Sequence, residues 1–305
     1  MMPEQESMTA KLCSFARAYH SIFDHSKIFD DYLAFDLMGY DEYQNVCRLI
    51  RQGVCTGCAS KNVTLCEVGQ AYRFLAPIPL SRQAFADRMF EKFVREYPTC
   101  QFVICGAGMD SFSFRNERDS VTVFEVDHPA TQRYKKQRIE ALEWKIRNNT
   151  HLVSVDFSCD NMAQKLIEAG YQPCVPTFFT ILGVSYYLTL RNFEKTIKAM
   201  DAISALGSMI LLDYPDKSTF RAVRDDRIRF LTDMTARLGE KMTRGFSYHE
   251  MKSIFENHHH TIDTYLKPNE IQKAFFEDRK DGMRAYENIH FICAKKSERY
   301  FEDIV

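Results

Sequence analysis

The chain lacks several features that define whole classes of protein. Its 305 residues contain no uninterrupted apolar run approaching the ~18 residues of a membrane span. The first residues, MMPEQESMTAK, lack the apolar core of a signal peptide. An excess of one charge is missing too, since 40 Lys and Arg against 41 Asp and Glu leave a formal charge of −1. We therefore expect neither a membrane nor nucleic acid as partner.

The cysteines show no small-domain disulfide pattern. Ten are present, and in a chain of this length we expect reduced thiols and a cytoplasmic location. Four of them follow the spacing C-x7-C-x2-C-x7-C: Cys47, Cys55, Cys58 and Cys66. A metal site usually offers two close pairs, and only Cys55 and Cys58 form one. A zinc or iron–sulfur site stays open as an alternative, but we predict no metal.

Repeats and low-complexity tracts are also absent, and the chain reads as one large domain with two additions. Residues 1–97 are predicted to form an N-terminal helical extension, interrupted by a polar loop at 52–62. Residues 98–305 alternate strand and helix signals as βαβ units do, with a helical insertion at 215–247. The predicted strands are 102–105, 121–126, 152–155, 178–182, 209–213, 261–266 and 290–294.

The segment from Gln101 to Pro129 carries the strongest functional signal. One apolar run ends in Gly106-Ala107-Gly108, and a second ends in Asp127. A nucleotide-binding α/β sheet begins with this order of elements: a strand, a glycine turn, a short helix, a second strand and an acid. The glycines let an adenosine-bearing ligand approach the backbone, and the acid can accept both ribose hydroxyls. Because charge-assisted hydrogen bonds contribute about 1.5–3 kcal/mol, losing Asp127 is expected to weaken binding roughly ten- to a hundredfold.

The spacing after the turn disfavours a dinucleotide. A dinucleotide fold needs a third small residue three positions after the second glycine, whereas this chain has Ser111 followed by Phe112. Residues 109–120 are too few for a loop and a three-turn helix. A ligand with a ribose and no pyrophosphate fits better, and S-adenosylmethionine is the candidate. A nicotinamide-dependent oxidoreductase stays as the disfavoured alternative.

Several segments resemble one known family. GAGMDSFSFR and FEVDHPATQ resemble the signature of the leucine carboxyl methyltransferase and polyketide O-methyltransferase family, a branch of the class I S-adenosylmethionine enzymes. SMTAKLCSFARAYH resembles its N-terminal helix, TFFTILGVSYYL its fourth strand and ENIHFICAK its last. The resemblance implies a three-layer, Rossmann-like α/β fold. Its seven-stranded, mostly parallel sheet has an antiparallel last strand and carries an N-terminal helical extension and a helical lid insertion.

The resemblance also implies a reaction and its cofactor contacts. The reaction is O-methylation by S-adenosylmethionine, with S-adenosylhomocysteine as product. Arg82 matches the family arginine that clasps the cofactor carboxylate, with Lys11 and Arg17 as helpers. Asp156 and Phe157 match the pair that contacts the adenine, although Asp156 could instead cap the next helix. The remaining predicted cofactor contacts are Gly106, Ala107, Gly108, Asp127 and His128.

One position departs from the family pattern. In much of the family the fourth strand ends in Glu-Gly-Val with the acid facing the cofactor, whereas this chain has Leu182-Gly183-Val184. Leu182 is thus a predicted cofactor contact that cannot accept a hydrogen bond. A catalytically degenerate, cofactor-binding or regulatory member therefore stays open as the alternative function, since fold does not guarantee activity.

The methyl acceptor is less well indicated. Tyr186, Tyr187 and Tyr214 follow strand ends on the expected active face and are predicted to shape the acceptor pocket. A carboxylate acceptor is already ionised near neutrality, whereas a hydroxyl needs a general base. No residue stands out as that base, and His128, which precedes Pro129, suits a turn. We predict methylation of a hydroxyl or carboxyl of a small molecule, less so of a protein C-terminus. The sequence carries no recognisable signal of oligomeric state.

Overall fold

Seven β-strands form one sheet in the computed structural model, which describes residues 7–52, 65–157, 159–222 and 225–297. The strand order is β3-β2-β1-β4-β5-β7-β6, and only β7 runs antiparallel to its neighbours. This confirms the predicted fold class, and each predicted strand is observed within two residues of its bounds. The strands are Cys100–Cys105 (β1), Val121–Asp127 (β2), Thr150–Ser154 (β3), Thr177–Ile181 (β4), Met209–Pro215 (β5), His260–Leu266 (β6) and Ile289–Lys296 (β7).

Twelve α-helices surround this sheet within the described residues. None of them is long and apolar enough to cross a membrane. They are Met8–Phe23 (α1), Ala34–Met38 (α2), Tyr40–Arg51 (α3), Leu65–Leu75 (α4), Pro77–Glu96 (α5), Phe112–Arg115 (α6), Pro129–Ala141 (α7), Met162–Glu168 (α8), Leu190–Ile203 (α9), Asp226–Arg237 (α10), Tyr248–Asn257 (α11) and Pro268–Phe275 (α12).

Strand β1 shows why the sheet is covered on both faces. All six of its residues are buried, as expected for a central parallel strand. Phe102 and Ile104 pack in a cluster with residues of α1, α3, α4 and α5, whereas Val103 and Cys105 pack in a second cluster with residues of α8, α9 and α11. Alternate side chains of a strand point to opposite faces, so one apolar run supplies both cores.

The lid insertion, residues 215–247, leaves and rejoins the sheet at one point. Asp216 and Phe246 form a parallel β-bridge, and the Phe246 N–H donates to the Pro215 carbonyl oxygen over 2.9 Å. A Cβ at Gly245 would overlap the Asp216 carbonyl oxygen, so this closure requires glycine. Between the two ends, the insertion contains a short 3-10 turn and α10.

Candidate active site

The glycine turn after β1 lies against the end of β2. Gly106 and Gly108 have φ of +73° and +52°, a region that glycine enters without steric cost. The N–H groups of Gly106 and Ala107 donate to the Val126 carbonyl oxygen over 2.8 and 3.1 Å. A Cβ at Gly106 would overlap the side chain of Val184. The backbone therefore turns sharply at these glycines, as the sequence predicts.

Asp127, at the tip of β2, is held by the backbone. One carboxylate oxygen accepts the Gly108 N–H over 2.5 Å, and the other accepts the His128 N–H over 2.6 Å. Each oxygen can accept a further hydrogen bond, so the acid retains acceptor capacity for a pair of hydroxyls. Burial raises the pKa of Asp127 above its ordinary value, although the two backbone N–H groups act against this shift.

His128 and Asp156 lie beside Asp127, but Phe157 faces elsewhere. The His128 Nε2 is 3.9 Å from an Asp156 carboxylate oxygen. The His128 Nδ1 accepts the Ala130 N–H over 3.3 Å, so this ring also caps α7. Phe157 lines a separate cavity of ≈ 670 Å³ whose other walls come from α8, α9 and the loop before α8. The structure thus gathers two of the three residues around the acid.

Arg82 lies in a buried cluster around Asp213, which the sequence did not point to. Arg82 Nη1 donates to the Asp213 Oδ2 over 3.2 Å, and the Tyr186 hydroxyl donates to the same oxygen over 2.7 Å. The Gly183 N–H donates to the Asp213 Oδ1 over 2.7 Å. Burial acts to lower the pKa of Arg82, but the Asp213 carboxylate together with the neighbouring Cys13 and Tyr186 side chains raises it overall. The guanidinium therefore stays charged.

Gly183 provides the space for this arginine. It has φ of +71°, and a Cβ there would stand 2.5 Å from Arg82 Nη1 and 2.7 Å from Nη2. Gly183 belongs to the Leu182-Gly183-Val184 sequence that departs from the family. Leu182 itself is half-buried and packs against the first apolar cluster.

A cavity of ≈ 480 Å³ opens beside the guanidinium of Arg82. Arg82 is the one charged residue among the described residues that line it. Tyr186 and Tyr187 contribute to its wall, as predicted for the acceptor pocket. The other lining residues come from α1, α4, α5, the loop after β4 and the insertion: Thr9, Leu12, Cys13, Leu75, Ile78, Pro79, Gly183, Leu231, Met234, Thr235 and Met242.

Tyr214 is not brought to this cavity. It follows Asp213 on β5 and therefore points to the opposite face of the sheet. There it is buried in the second apolar cluster and stacks on His290, with ring centroids 5.2 Å apart. We therefore leave Tyr214 out of the site proposed below.

The two helper cations on α1 have protein partners. Arg17 Nη2 donates to the Met109 carbonyl oxygen over 2.7 Å, and its Nε donates to Asp31 over 2.8 Å. The Lys11 ammonium pairs with Glu42 over 3.1 Å. Arg17 thus supports the residue that follows the glycine turn.

The four cysteines considered as metal ligands are only partly described. Cys47 is buried and has no disulfide. Cys55 and Cys58 lie outside the described residues, as does the side chain of Cys66. In the part of the chain that is described, no group of three or more His, Cys, Asp or Glu side chains is placed to hold a metal ion.

Comparison with known proteins identifies the family that the sequence resembles. Residues 10–201 match the leucine carboxyl methyltransferase family. A Bacillus subtilis (strain 168) protein named "Putative S-adenosyl-L-methionine-dependent methyltransferase YktD" is 34% identical over 309 residues, which cover 97% of this chain and 100% of that protein. A relative from Parafrankia sp. (strain EAN1pec) with the same type of name is 33% identical over 114 residues, or 37% of this chain and 36% of that protein.

Among solved structures, a DUF574 family protein from Streptomyces avermitilis has a TM-score of 0.54 at 13% identity, covering 81% of this chain and 96% of that one. This likeness concerns the fold alone. Sheet order, glycine turn and the acid after β2 define a methyltransferase of the class I, S-adenosylmethionine-dependent kind. The chain belongs to the leucine carboxyl methyltransferase family. This confirms the predicted family and the predicted dependence on S-adenosylmethionine.

Proposed function

We propose that the protein is an O-methyltransferase that esterifies the carboxylate of a small, largely apolar acid. One observation carries this proposal. The described walls of the cavity beside Arg82 are mostly aliphatic, thioether and aromatic, and they include no His, Asp or Glu side chain. Small-molecule sites are lined mostly by apolar and aromatic side chains, with a few polar groups that fix the orientation of the ligand.

The absence of a base from these walls favours a carboxylate over a hydroxyl. A hydroxyl must lose its proton during transfer, and this requires a positioned general base. Tyr186 and Tyr187 are the titratable oxygen acids that line the cavity, and burial raises the pKa of both phenols above the ordinary tyrosine value. They therefore stay protonated near neutrality. A carboxylate needs no such help, because it is ionised well below pH 7.

The residues at the strand ends fit the cofactor in two halves. Asp127 would hold the ribose hydroxyls above the Gly106-Ala107-Gly108 turn, with His128 and Asp156 on the adenine side. Arg82 would bind the cofactor carboxylate, since a guanidinium offers five N–H donors and its contacts here are with Asp213 and Cys13. When bound, S-adenosylmethionine supplies an electrophilic methyl group on its sulfonium.

The cavity walls would serve the transfer by position and by exclusion of water. Methyl transfer is a displacement in line with the departing sulfur, so holding the acceptor oxygen in place lowers the barrier. Apolar side chains from α1 and from the insertion line the cavity, among them Leu12 and Met234. Such apolar walls would also strip water from the reacting carboxylate.

A matched trio of acceptors tests the proposal. Radiolabelled S-adenosylmethionine would be incubated with the protein and an apolar carboxylic acid, the alcohol of the same carbon skeleton, or a peptide ending in leucine. We expect label in the acid alone, in a product that releases volatile methanol in mild alkali, as an ester does. An alkali-stable product from the alcohol would overturn the carboxylate assignment, and labelling of the peptide would overturn the assignment to a small molecule.

The second candidate is a member that binds the cofactor without turnover. Leu182 favours it, because a half-buried apolar side chain occupies the position where an acid faces the cofactor in much of the family. This candidate predicts calorimetric binding of S-adenosylmethionine together with no label transfer to a broad panel of acids and alcohols. Transfer to any one of them would remove it.

A further inference from the structure

The N-terminus of α1 is capped by a residue of the lid insertion. The Met8 and Thr9 N–H groups donate to Glu240 Oε1 over 2.7 and 3.3 Å, and the Ser7 hydroxyl donates to Oε2 over 3.0 Å. The contact spans 232 residues of sequence between Met8 and Glu240. The first turn of α1 has no acidic residue of its own. A carboxylate at this end satisfies otherwise unpaired N–H groups and favours the positive end of the helix dipole.

This contact, which we call the Glu240 latch (Ser7, Met8, Thr9 and Glu240), joins two walls of the acceptor cavity. α1 lines the cavity with Leu12 and Cys13, and Thr9 of the latch is itself a lining residue. The insertion lines it from α10 and from Met242, two residues beyond Glu240. Glu240 therefore connects the N-terminal extension with the lid directly beside the proposed acceptor.

The same helix also covers the glycine turn. A Cβ at Gly108 would stand 3.2 Å from the Ala10 Cβ, which places α1 against the turn. Arg17, further along α1, donates to the Met109 carbonyl oxygen over 2.7 Å. A movement of α1 would thus open the acceptor cavity and uncover the cofactor turn together.

We propose that Glu240 is a positioning residue that holds α1 closed over both sites, and that the latch releases when cofactor and product exchange. This rests on the proposed function in one respect, namely that the cofactor lies along the glycine turn. Glu240 is not among the residues that line the acceptor cavity. It affects the rate at which α1 moves away from the glycine turn and lets the cofactor leave.

The release rate of S-adenosylhomocysteine tests the latch without knowledge of the acceptor. Radiolabelled S-adenosylhomocysteine bound to the whole protein would be chased with excess unlabelled compound. Glu240→Gln keeps one oxygen that can accept the Met8 and Thr9 N–H groups, but it removes the negative charge beside the N-terminus of α1. Loss of this charge should speed release about 2- to 5-fold. Glu117→Gln, an exposed acid before β2 and remote from the latch, should match the wild type.

Two further measurements separate positioning from a purely structural role. Glu240→Asp keeps the charge and should restore slow release in part. Ser7→Ala leaves the acid in place but removes both the donor to Glu240 and the hydroxyl oxygen that caps α1 at the Ala10 N–H. It should speed release about 2- to 10-fold, so it serves as the test if Glu240→Gln does not fold. A lowered melting temperature with an unchanged release rate in either variant would overturn the latch.

Failure of the proposed function would look different. If the wild type binds no S-adenosylhomocysteine, the cofactor assignment and the latch are both wrong. If the wild type binds it and the Glu240→Gln and Ser7→Ala variants release it at the wild-type rate, the latch alone is wrong.

Discussion

Substitution of Gly183 by alanine tests whether Arg82 binds the cofactor, because the new side chain displaces the guanidinium. The new Cβ would stand 2.5 to 2.9 Å from three atoms of the Arg82 guanidinium. Because this is the end of a flexible side chain, Arg82 can move, but only by leaving its position beside Asp213 and the cavity. Gly183 also has φ of +71°, where an alanine is strained by roughly 1–2 kcal/mol.

Gly282→Ala is a matched control for the backbone strain. Gly282 has φ of +78°, and a Cβ there would meet no atom within 4 Å. Backbone strain should therefore cost both variants about 1–2 kcal/mol of unfolding free energy, and Gly183→Ala should lose more because the buried Asp213 loses its contact with Arg82. Only Gly183→Ala should lose the charge-assisted contact to the cofactor carboxylate. That contact contributes about 1.5–3 kcal/mol, so S-adenosylmethionine affinity should fall about ten- to a hundredfold.

Isothermal calorimetry with S-adenosylmethionine, together with urea unfolding of both variants, measures the two effects. The reasoning requires that both variants stay folded and that only Gly183→Ala loses affinity. If Gly183→Ala binds as tightly as Gly282→Ala, Arg82 does not hold the cofactor carboxylate, and the arginine must be assigned another role.

Three other predictions concern the acid, the cavity and the core. Asp127→Asn should weaken S-adenosylhomocysteine binding about ten- to a hundredfold by calorimetry; undiminished affinity would contradict the ribose assignment. Burial raises the pKa of Asp127, and only the ionised acid accepts at both oxygens. Wild-type affinity should thus be full above this raised pKa and decline as the pH falls through it, at a higher pH than for an exposed aspartate. Asp127→Asn should lack this step. Met234→Trp should fill the acceptor cavity and abolish methyl transfer while S-adenosylhomocysteine still binds; retained transfer would exclude this cavity. Lys135→Met leaves the buried Glu125 without its ion-pair partner and should cost about 3–5 kcal/mol in urea unfolding. Adding Glu125→Leu should recover part of this cost, and no recovery would show that the pair is not coupled.

The cofactor half of the site could be predicted because its signals are local. The glycine turn and Asp127 lie in one strand–turn–strand segment, where each residue type has a direct geometric meaning. The Gly108 N–H to Asp127 hydrogen bond closes that segment on itself. Local spacing was therefore sufficient to predict that the acid lies against the glycine turn.

The Arg82 half could not be predicted in the same way, because it is assembled over long distances. Arg82 and Asp213 are 131 residues apart in sequence. All seven residues of β5 are buried, so the apolar pattern does not reveal which face Asp213 or Tyr214 occupies. Because side chains alternate along a strand, Asp213 and Tyr214 are expected on opposite faces of the sheet, and the structure shows them there. The contacts of Asp213 with Gly183 and Tyr186 indicate which face of the sheet carries the site.

The helix α12 shows a different limit of the sequence. Pro268 at its start and Glu270 in its first turn are ordinary signals of a helix N-terminus. The helix has only eight residues, which is short for a periodic apolar pattern to be recognised. It lies between β6 and β7 in sequence, and none of its residues is among those proposed to bind the cofactor.

The bridge between Asp216 and Phe246 holds the two ends of the intervening segment together, so this segment can be replaced as a unit. Its entry and exit points are already joined, so changes in its length cost little closure entropy at the base. Grafting residues 217–245 from another member of the family, with Glu240 retained so that α1 keeps its contact, should alter which acids are accepted while leaving Asp127 and the glycine turn undisturbed. Diversification of substrates could then proceed by exchanging one segment between fixed attachment points, with the donor-binding framework inherited unchanged.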